Sequence, residues 1–356
     1  MGFLAGVKYR DKIFFSSVQW NGLFSYDIMT GETKFLRVFE RENIKFMLHN
    51  RGFLCGNEMW LIPARASHIA CVNLDTLDIS FFDLPRTVNR DSSFCYYDTV
   101  RYGDKLYVIP YYADNILEVD MMNHNCNVVY QSDIFKTFWA SGAYISDHVL
   151  HVIKHDGNIG ISIELNSYQV VGFDKNVDDH KCYYSMCLDG KCWFMSHEDR
   201  MLYKSDVTED GKLLERKVVE CENKPFYRGV AVGNSIILFP CDCSRTFMII
   251  ESSNDNHKML DGCFDGFEES TSWFEMTVMD SDEGVWITAI NGVVFDISNL
   301  ENIKRFCVTV NCEQVENMFE KALETGEIDS FFEEGIIREN GIFITLNQYL
   351  KYVHMK

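Results

Sequence analysis

The chain has 356 residues, 47% of them hydrophobic, and a formal net charge of −20 from 33 basic and 53 acidic side chains. That is ample material for a large core. With no Lys/Arg-rich run to form a basic footprint, the charge excludes nucleic acid and anionic membrane surfaces as partners.

From the N-terminus, the chain writes one pattern again and again. The segment FLAGVKYRDKIFF (3–15) alternates through a turn at Arg10-Asp11 into a second apolar run. RGFLCGNEMWLIP (51–63) does the same and returns as RGVAVGNSIILFP (228–240), with six of thirteen positions identical. Between them lie YYDTVRYGDKLYVIP (96–110), FWASGAYISDHVLHV (138–152) and YYSMCLDGKCWFM (183–195), and WFEMTVMDSDEGVWIT (273–288) follows. Alternation and β-branched or aromatic enrichment around Gly, Asn and Asp turns predict β-hairpins. The first apolar residue of each second strand falls at Ile13, Met59, Leu106, Val149, Cys192, Ile236 and Val285, a spacing of 43 to 49 residues.

Each hairpin is followed by a third strand ending in an apolar–polar–apolar triplet: YDI at Tyr26, VNL at Val72, VDM at Val119, IEL at Ile163 and FDI at Phe295. A turn and a fourth strand come next. Four antiparallel strands repeated at this period predict an all-β fold of propeller blades, read as a single domain over 1–356. SFFEEGIIRENGIFIT (330–345) aligns with 272–288 and predicts an eighth, three-stranded blade; the alternative is seven blades plus a C-terminal hairpin. In the eight-blade reading each terminus lies in its own blade, so the ring closes by packing alone. Between the last two hairpins, 311–326 places Val315, Met318, Phe319, Ala322 and Leu323 on one stripe and predicts an inserted amphipathic helix, capped by Asn311.

In period and strand pattern the chain resembles β-propeller repeat proteins of the Kelch, NHL and quinoprotein-like kind. The paired glycines of Kelch blades and the Gly-His…Trp-Asp signature of WD repeats are absent. The resemblance implies that loops before each first strand and after each second strand gather at one end. These first strands begin with aromatic pairs, among them Tyr96-Tyr97, Phe138-Trp139, Tyr183-Tyr184, Phe226-Tyr227 and Trp273-Phe274. One member of each pair is expected between sheets, the other at the rim. Asp98, Ser185, Arg228, Glu275 and Glu333 follow them, and Asn21, Arg65, His68, His155, His197, Asp242 and Arg245 come from neighbouring loops.

The expected ligand-binding set is therefore Tyr97, Asp98, Trp139, Tyr184, Tyr227, Arg228, Trp273 and Glu275. Its expected ligand is a protein or peptide, held by a non-enzymatic scaffold. The alternative is a carbohydrate-binding or glycosidase-like protein in which Glu275 and Glu333 are candidates for acid–base work. No cofactor is expected. His148, His151 and His155 do not share a strand face, and Cys241 and Cys243 lack a complementary pair, so no metal site is expected. Thirteen cysteines without a regular framework, and an N-terminus without a signal-peptide pattern, predict reduced thiols in the cytoplasm.

Overall fold

A computed structural model describes residues 2–18, 21–42, 47–85, 95–111, 113–136, 140–154, 159–175, 182–188, 191–196, 201–207, 213–220, 226–232, 234–240, 247–251, 253–260, 276–290 and 292–309. These residues form seven antiparallel four-stranded meanders, five of them separate sheets and two, the first and the last, joined edge to edge in one eight-stranded sheet. No α-helix occurs among the described residues. The expected eighth sheet and the expected helix at 311–326 fall outside them.

The chain divides into two compact units, Met1–Leu84 with Phe267–Lys356, and Pro85–Gly266. In the first unit, one sheet holds β1 (Gly6–Tyr9), β2 (Lys12–Ser16), β3 (Leu23–Asp27) and β4 (Thr33–Arg37). The next holds β5 (His49–Cys55), β6 (Glu58–Pro63), β7 (His68–Asn73) and β8 (Ile79–Asp83). The second unit contributes four sheets. They are β9 (Tyr96–Tyr102), β10 (Lys105–Pro110), β11 (Asn115–Asp120) and β12 (Asn125–Gln131); then β13 (Ala140–Ser146), β14 (Val149–Lys154), β15 (Ile159–Glu164) and β16 (Val170–Lys175). There follow β17 (Cys182–Leu188), β18 (Lys191–Ser196), β19 (Met201–Val207) and β20 (Leu213–Glu220); and β21 (Phe226–Val232), β22 (Ser235–Pro240), β23 (Phe247–Glu251) and β24 (His257–Leu260). The first unit resumes with β25 (Met276–Ser281), β26 (Trp286–Ala289), β27 (Val293–Asp296) and β28 (Lys304–Cys307).

Burial is graded across each described sheet. Second and third strands such as β6 and β11 are buried almost throughout, whereas β8, β12 and β28 are largely half-exposed or exposed. The near-continuous apolar runs of the middle strands are therefore covered on both faces. One cluster (Phe3, Phe15, Phe24, Met279, Trp286, Val294) joins the β25–β28 sheet to the β1–β4 sheet, with Phe3, Phe15 and Phe24 stacked in a column at 4.2 and 5.5 Å. A second, including Leu23, Phe39, Leu61 and Val72, joins β1–β4 to β5–β8. A third, including Tyr107, Ile109, Leu150 and Ile161, joins β9–β12 to β13–β16. Each fully buried phenylalanine contributes roughly 1.5–3 kcal/mol.

The first unit also has a contact that packing alone does not supply. β25 pairs with β1 in parallel, Val7 opposite Asp280 and Lys8 opposite Ser281, so the seventh sheet stands directly beside the first. Around that ladder Lys8 Nζ binds Asp282 at 2.8 Å, and Leu54 N of β5 donates to Asp280 Oδ2 at 2.9 Å. β1 and β5 approach so closely that a Cβ on Gly52 would lie 2.8 Å from Gly6 O and 2.9 Å from Gly6 N.

One end of the sheets is nearly uniform. Except between β25 and β26, where four residues (282–285) intervene, the first two strands are joined there by two-residue turns, with positive φ at Arg10, Gly56 and Gly103. The polar residue closing the third strand, at Asp27, Asn73, Asp120, Glu164 or Glu251, is followed four positions later by a positive-φ residue: Gly31, Leu77, His124, Tyr168 or Asp255. In the first four of these turns its side chain accepts turn N–H groups: Asp27 from Met29 and Thr30, Asn73 from Asp75 and Thr76, Asp120 from Asn123, Glu164 from Asn166 and Ser167. The next residue's N–H reaches the first hairpin turn, as in Leu74 N to Asn57 O (2.8 Å) and Met121 N to Asp104 O (3.0 Å). The recurring triplets are thus turn caps.

Candidate functional site

The other end, where first strands start and second strands finish, is variable. Connectors to the next sheet run from five residues (221–225) to fifteen (261–275). Here five first strands carry a β-bulge at one shared register position. His49 pairs with Pro63 and Arg51 with Ile62, skipping Asn50; Tyr96 pairs with Pro110 and Asp98 with Ile109, skipping Tyr97. Ser141, Tyr183 and Tyr227 are skipped in the same way in β13, β17 and β21. A bulge adds one residue, breaks the alternation and re-aims the side chains next to it.

This register sorts the expected site residues. Tyr97 and Tyr227 are bulge residues, Asp98, Tyr184 and Arg228 occupy the position just after a bulge, and Ser185 sits one further on. The aromatic pairs are therefore not equivalent: Tyr96-Tyr97 begins one position earlier than Tyr183-Tyr184. Asp98 is buried, and its Oδ1 accepts the Thr99 N–H at 2.9 Å. The side chains of Tyr97, Tyr184, Tyr227 and Arg228 fall outside the described residues, as do Trp139, Trp273, Glu275 and Glu333 entirely. Where first members of the pairs are described, they are fully buried: Phe3 lies in the cluster that joins β25–β28 to β1–β4, and Tyr96 Oη donates to Asn115 of its own sheet. In β13–β16, His151 bonds Ser162 and Ser146 and stacks on Tyr144, while His148 contacts Tyr102, so these two histidines serve separate partners.

In the second unit the first strands β9, β13, β17 and β21 lie successively side by side. A buried polar network ties two of its sheets: Glu118 accepts Lys105 Nζ at 3.0 Å, Tyr107 Oη at 2.8 Å and the Tyr168 hydroxyl. Burial first, then Glu118, pushes the Tyr107 hydroxyl well above its usual range, so it stays a donor.

In the first unit, the same end holds a polar cluster on the β4–β5 connector. Asn21 Nδ2 donates to Phe39 O (3.2 Å) and Glu42 O (3.0 Å), and its Oδ1 accepts Phe39 N. The Glu42 carboxylate accepts Ser67 N at 2.6 Å and lies 2.7 Å from His68 Nδ1. His68 Nε2 is 3.2 Å from Asp83 Oδ1, which also receives Arg41 Nη2 at 2.8 Å. Burial pushes the Glu42 carboxyl above the usual carboxylate range, against the lowering effect of Ser67 and His68. His49, fully enclosed, is driven down to about 3 by burial and stays neutral; Ser16 Oγ meets its Nδ1 at 2.8 Å, and its Nε2 has no hydrogen-bond partner among the described residues. Asn21 and His68 were visible in the sequence as loop residues at this end, but Glu42 was not, because FERENIK reads as an ordinary charged connector.

No family model matches the sequence, and no curated protein does. Among solved structures, the chain is similar to PorZ of Porphyromonas gingivalis, at 8% identity and a TM-score of 0.54, over 86% of this chain and 37% of PorZ. It is similar to YCF48, solved bound to D1 peptide, at 9% identity and a TM-score of 0.59, over 87% of this chain and 94% of YCF48. The extracellular domain of BT4673 from B. thetaiotaomicron matches at 11% identity and a TM-score of 0.53, over 81% of this chain and 39% of that one. The chain therefore spans well under half of PorZ and of the BT4673 chain. Repeated four-stranded meanders and these likenesses together define a β-propeller-like repeat protein. At these identities the likeness extends to the fold alone.

Proposed function

We propose that this protein is a non-enzymatic propeller scaffold that binds a polypeptide segment at the strand-start end of β9, β13, β17 and β21. The observation that carries this reading is the repeated bulge. The same backbone irregularity recurs at one position, yet it is filled differently each time: Tyr97-Asp98, Ser141-Gly142, Tyr183-Tyr184, Tyr227-Arg228. The opposite end repeats one turn chemistry, as a scaffold does, whereas variable residues on a fixed frame suit recognition. Tyrosines offer broad, rigid contact surfaces, Arg228 offers a positive charge, and Trp139 comes from the adjoining connector. The peptide bound by YCF48, a protein of similar fold, supports the class of ligand.

The test is to select a displayed peptide library on the full chain. The counter-selection uses a Tyr97→Ala, Tyr227→Ala, Arg228→Ala variant whose circular dichroism and unfolding midpoint match the wild type. The expected result is a peptide bound by the wild type and at least about tenfold more weakly by the variant, the loss of about 1.4 kcal/mol. Peptides bound equally by both would overturn the site. Sugars selected on a glycan array, and lost with Glu275→Gln, would replace the reading with the carbohydrate one.

The same reading puts the protein in the cytoplasm with its thiols reduced. Among the described residues, Cys55, Cys71, Cys95, Cys126 and Cys307 carry thiols rather than disulfides. Thiol titration of freshly isolated protein in denaturant should find all 13 cysteines reactive, and a lower count would overturn this placement.

A further inference from the structure

We propose that Cys187 and Cys192, opposed across the β17–β18 hairpin, are a reversible thiol–disulfide pair in which Cys187 meets the oxidant and Cys192 closes the bond. This inference concerns one sheet of the second unit and does not depend on the partner reading.

The strand register carries it. β17 and β18 pair antiparallel, with Leu188 opposite Lys191, Cys187 opposite Cys192 and Met186 opposite Trp193. Among the described strands no other two cysteines stand opposite each other. Only Asp189 and Gly190 lie between Leu188 and Lys191. In a hairpin closed by two residues the flanking pair exchanges the backbone hydrogen bonds, so the next pair, Cys187 with Cys192, is a non-hydrogen-bonded one. Such a pair holds its Cα atoms about 4.5 Å apart, and a disulfide spans roughly 4.4–6.8 Å. A bridge therefore fits the existing register. It falls at the short limit of the range, where a disulfide is strained and readily reduced. It also closes a very short loop and so adds little to stability. A bond of this kind is made and broken rather than kept as a staple.

The two positions differ in reach. In the other three sheets of the second unit, the same register pair is Arg101 with Leu106, Ile145 with Leu150, and Ala231 with Ile236. The second-strand member is buried each time, whereas Arg101 and Ala231 are exposed and Ile145 is half-buried. Cys187 thus occupies the open position of the register and Cys192 the enclosed one. The oxidant is a small disulfide of the glutathione class. The Cys187 thiolate attacks one of its sulfurs and expels one glutathione thiolate. The Cys192 thiolate then attacks Cys187 Sγ in the mixed disulfide and expels the second. Two protein thiols are oxidised to one disulfide, the glutathione disulfide is reduced to two thiols, and the two protons pass to the expelled thiolates.

The test starts from the fully reduced full chain, equilibrated in glutathione buffers of rising disulfide content, quenched in acid, alkylated and mapped by mass spectrometry. The expected first product is an intramolecular Cys187–Cys192 bond. It is read as joint loss of both alkylation sites and a mass two hydrogens lower, fully restored by dithiothreitol. Cys192→Ser should instead accumulate a glutathione adduct at Cys187, and Cys187→Ser should leave Cys192 unmodified. A Cys187→Ser, Leu188→Cys chain moves the thiol one position along β17, out of opposition to Cys192, and should form no bridge. The pair staying reduced in the most oxidising buffer would overturn the proposal, as would a bridge in the shifted variant. An adduct at Cys192 in Cys187→Ser as extensive as that at Cys187 in Cys192→Ser would overturn the assigned order.

Discussion

Replacing Gly52 with alanine tests whether the close approach of β1 and β5 is required by the fold. The added methyl would sit 2.8, 2.9 and 3.0 Å from Gly6 O, N and C. These are backbone atoms of a strand paired to β2 on one side and to β25 on the other, so they cannot swing away as a side chain would. Overpacking of this kind costs about 1–3 kcal/mol. Against it stands the lower unfolded-state entropy of alanine, worth about 0.4–1 kcal/mol. The clash wins, and Gly52→Ala should lose about 1–2 kcal/mol. Gly172→Ala is the matched control: its methyl meets nothing closer than 3.9 Å, and φ there is ordinary, so it should be neutral or slightly stabilising. Urea unfolding followed by tryptophan fluorescence reads both. A Gly52→Ala midpoint equal to or above the wild type, beside a normal Gly172→Ala, would refute the reasoning.

Other outcomes follow from the same geometry. His124 holds φ 52 where Gly31 stands in the first sheet; His124→Gly should relieve left-handed strain of about 1–2 kcal/mol, partly offset by chain entropy, and raise the unfolding midpoint slightly. Turn donors, led by Thr30 N–H at Asp27, the Asn123 side chain at Asp120 and the Ser167 hydroxyl at Glu164, hold these carboxyls below their usual range. Their contribution is present above the ordinary carboxylate pKa near 4 and lost as pH falls through the lowered values. A combined Asp27→Asn, Asp120→Asn, Glu164→Gln protein should therefore show a flatter acid limb in its stability profile; Asn73 already caps the second sheet without a charge. His49 acts in a different window. Its pKa of about 3 in the fold against about 6.5 unfolded makes stability decline as pH drops between those values, and His49→Phe, matching Phe226 at that register, should remove the slope.

The strand order, the period and the turns were legible because their causes are local. Alternation marks strands, and Asp27, Asn73, Asp120 and Glu164 cap turns only a few residues away. Glu251 does not stand in such a triplet, because Ser252 follows it where an apolar residue follows Asp27, Asn73, Asp120 and Glu164, yet Asp255 N still donates to Glu251 O and Asp255 takes the same positive φ. The strand-start end was less legible. Counting by twos treated Tyr96-Tyr97 and Tyr183-Tyr184 as equals, but a bulge adds a residue that no composition rule announces, and it moves Tyr184 into the register of Asp98 and Arg228.

The sequence by itself determined that this chain is a repeat of four-stranded sheets, since hydrophobic period and turn chemistry act over spans shorter than one sheet. Tertiary structure decided which residues from different sheets meet. It paired β1 with β25 across more than 270 positions, set Gly52 against the backbone of Gly6, enclosed His49, and brought Glu42 to His68. Those contacts arise when the faces of separate sheets pack, and packing depends on shape and burial at a distance, which alternation along one strand does not encode.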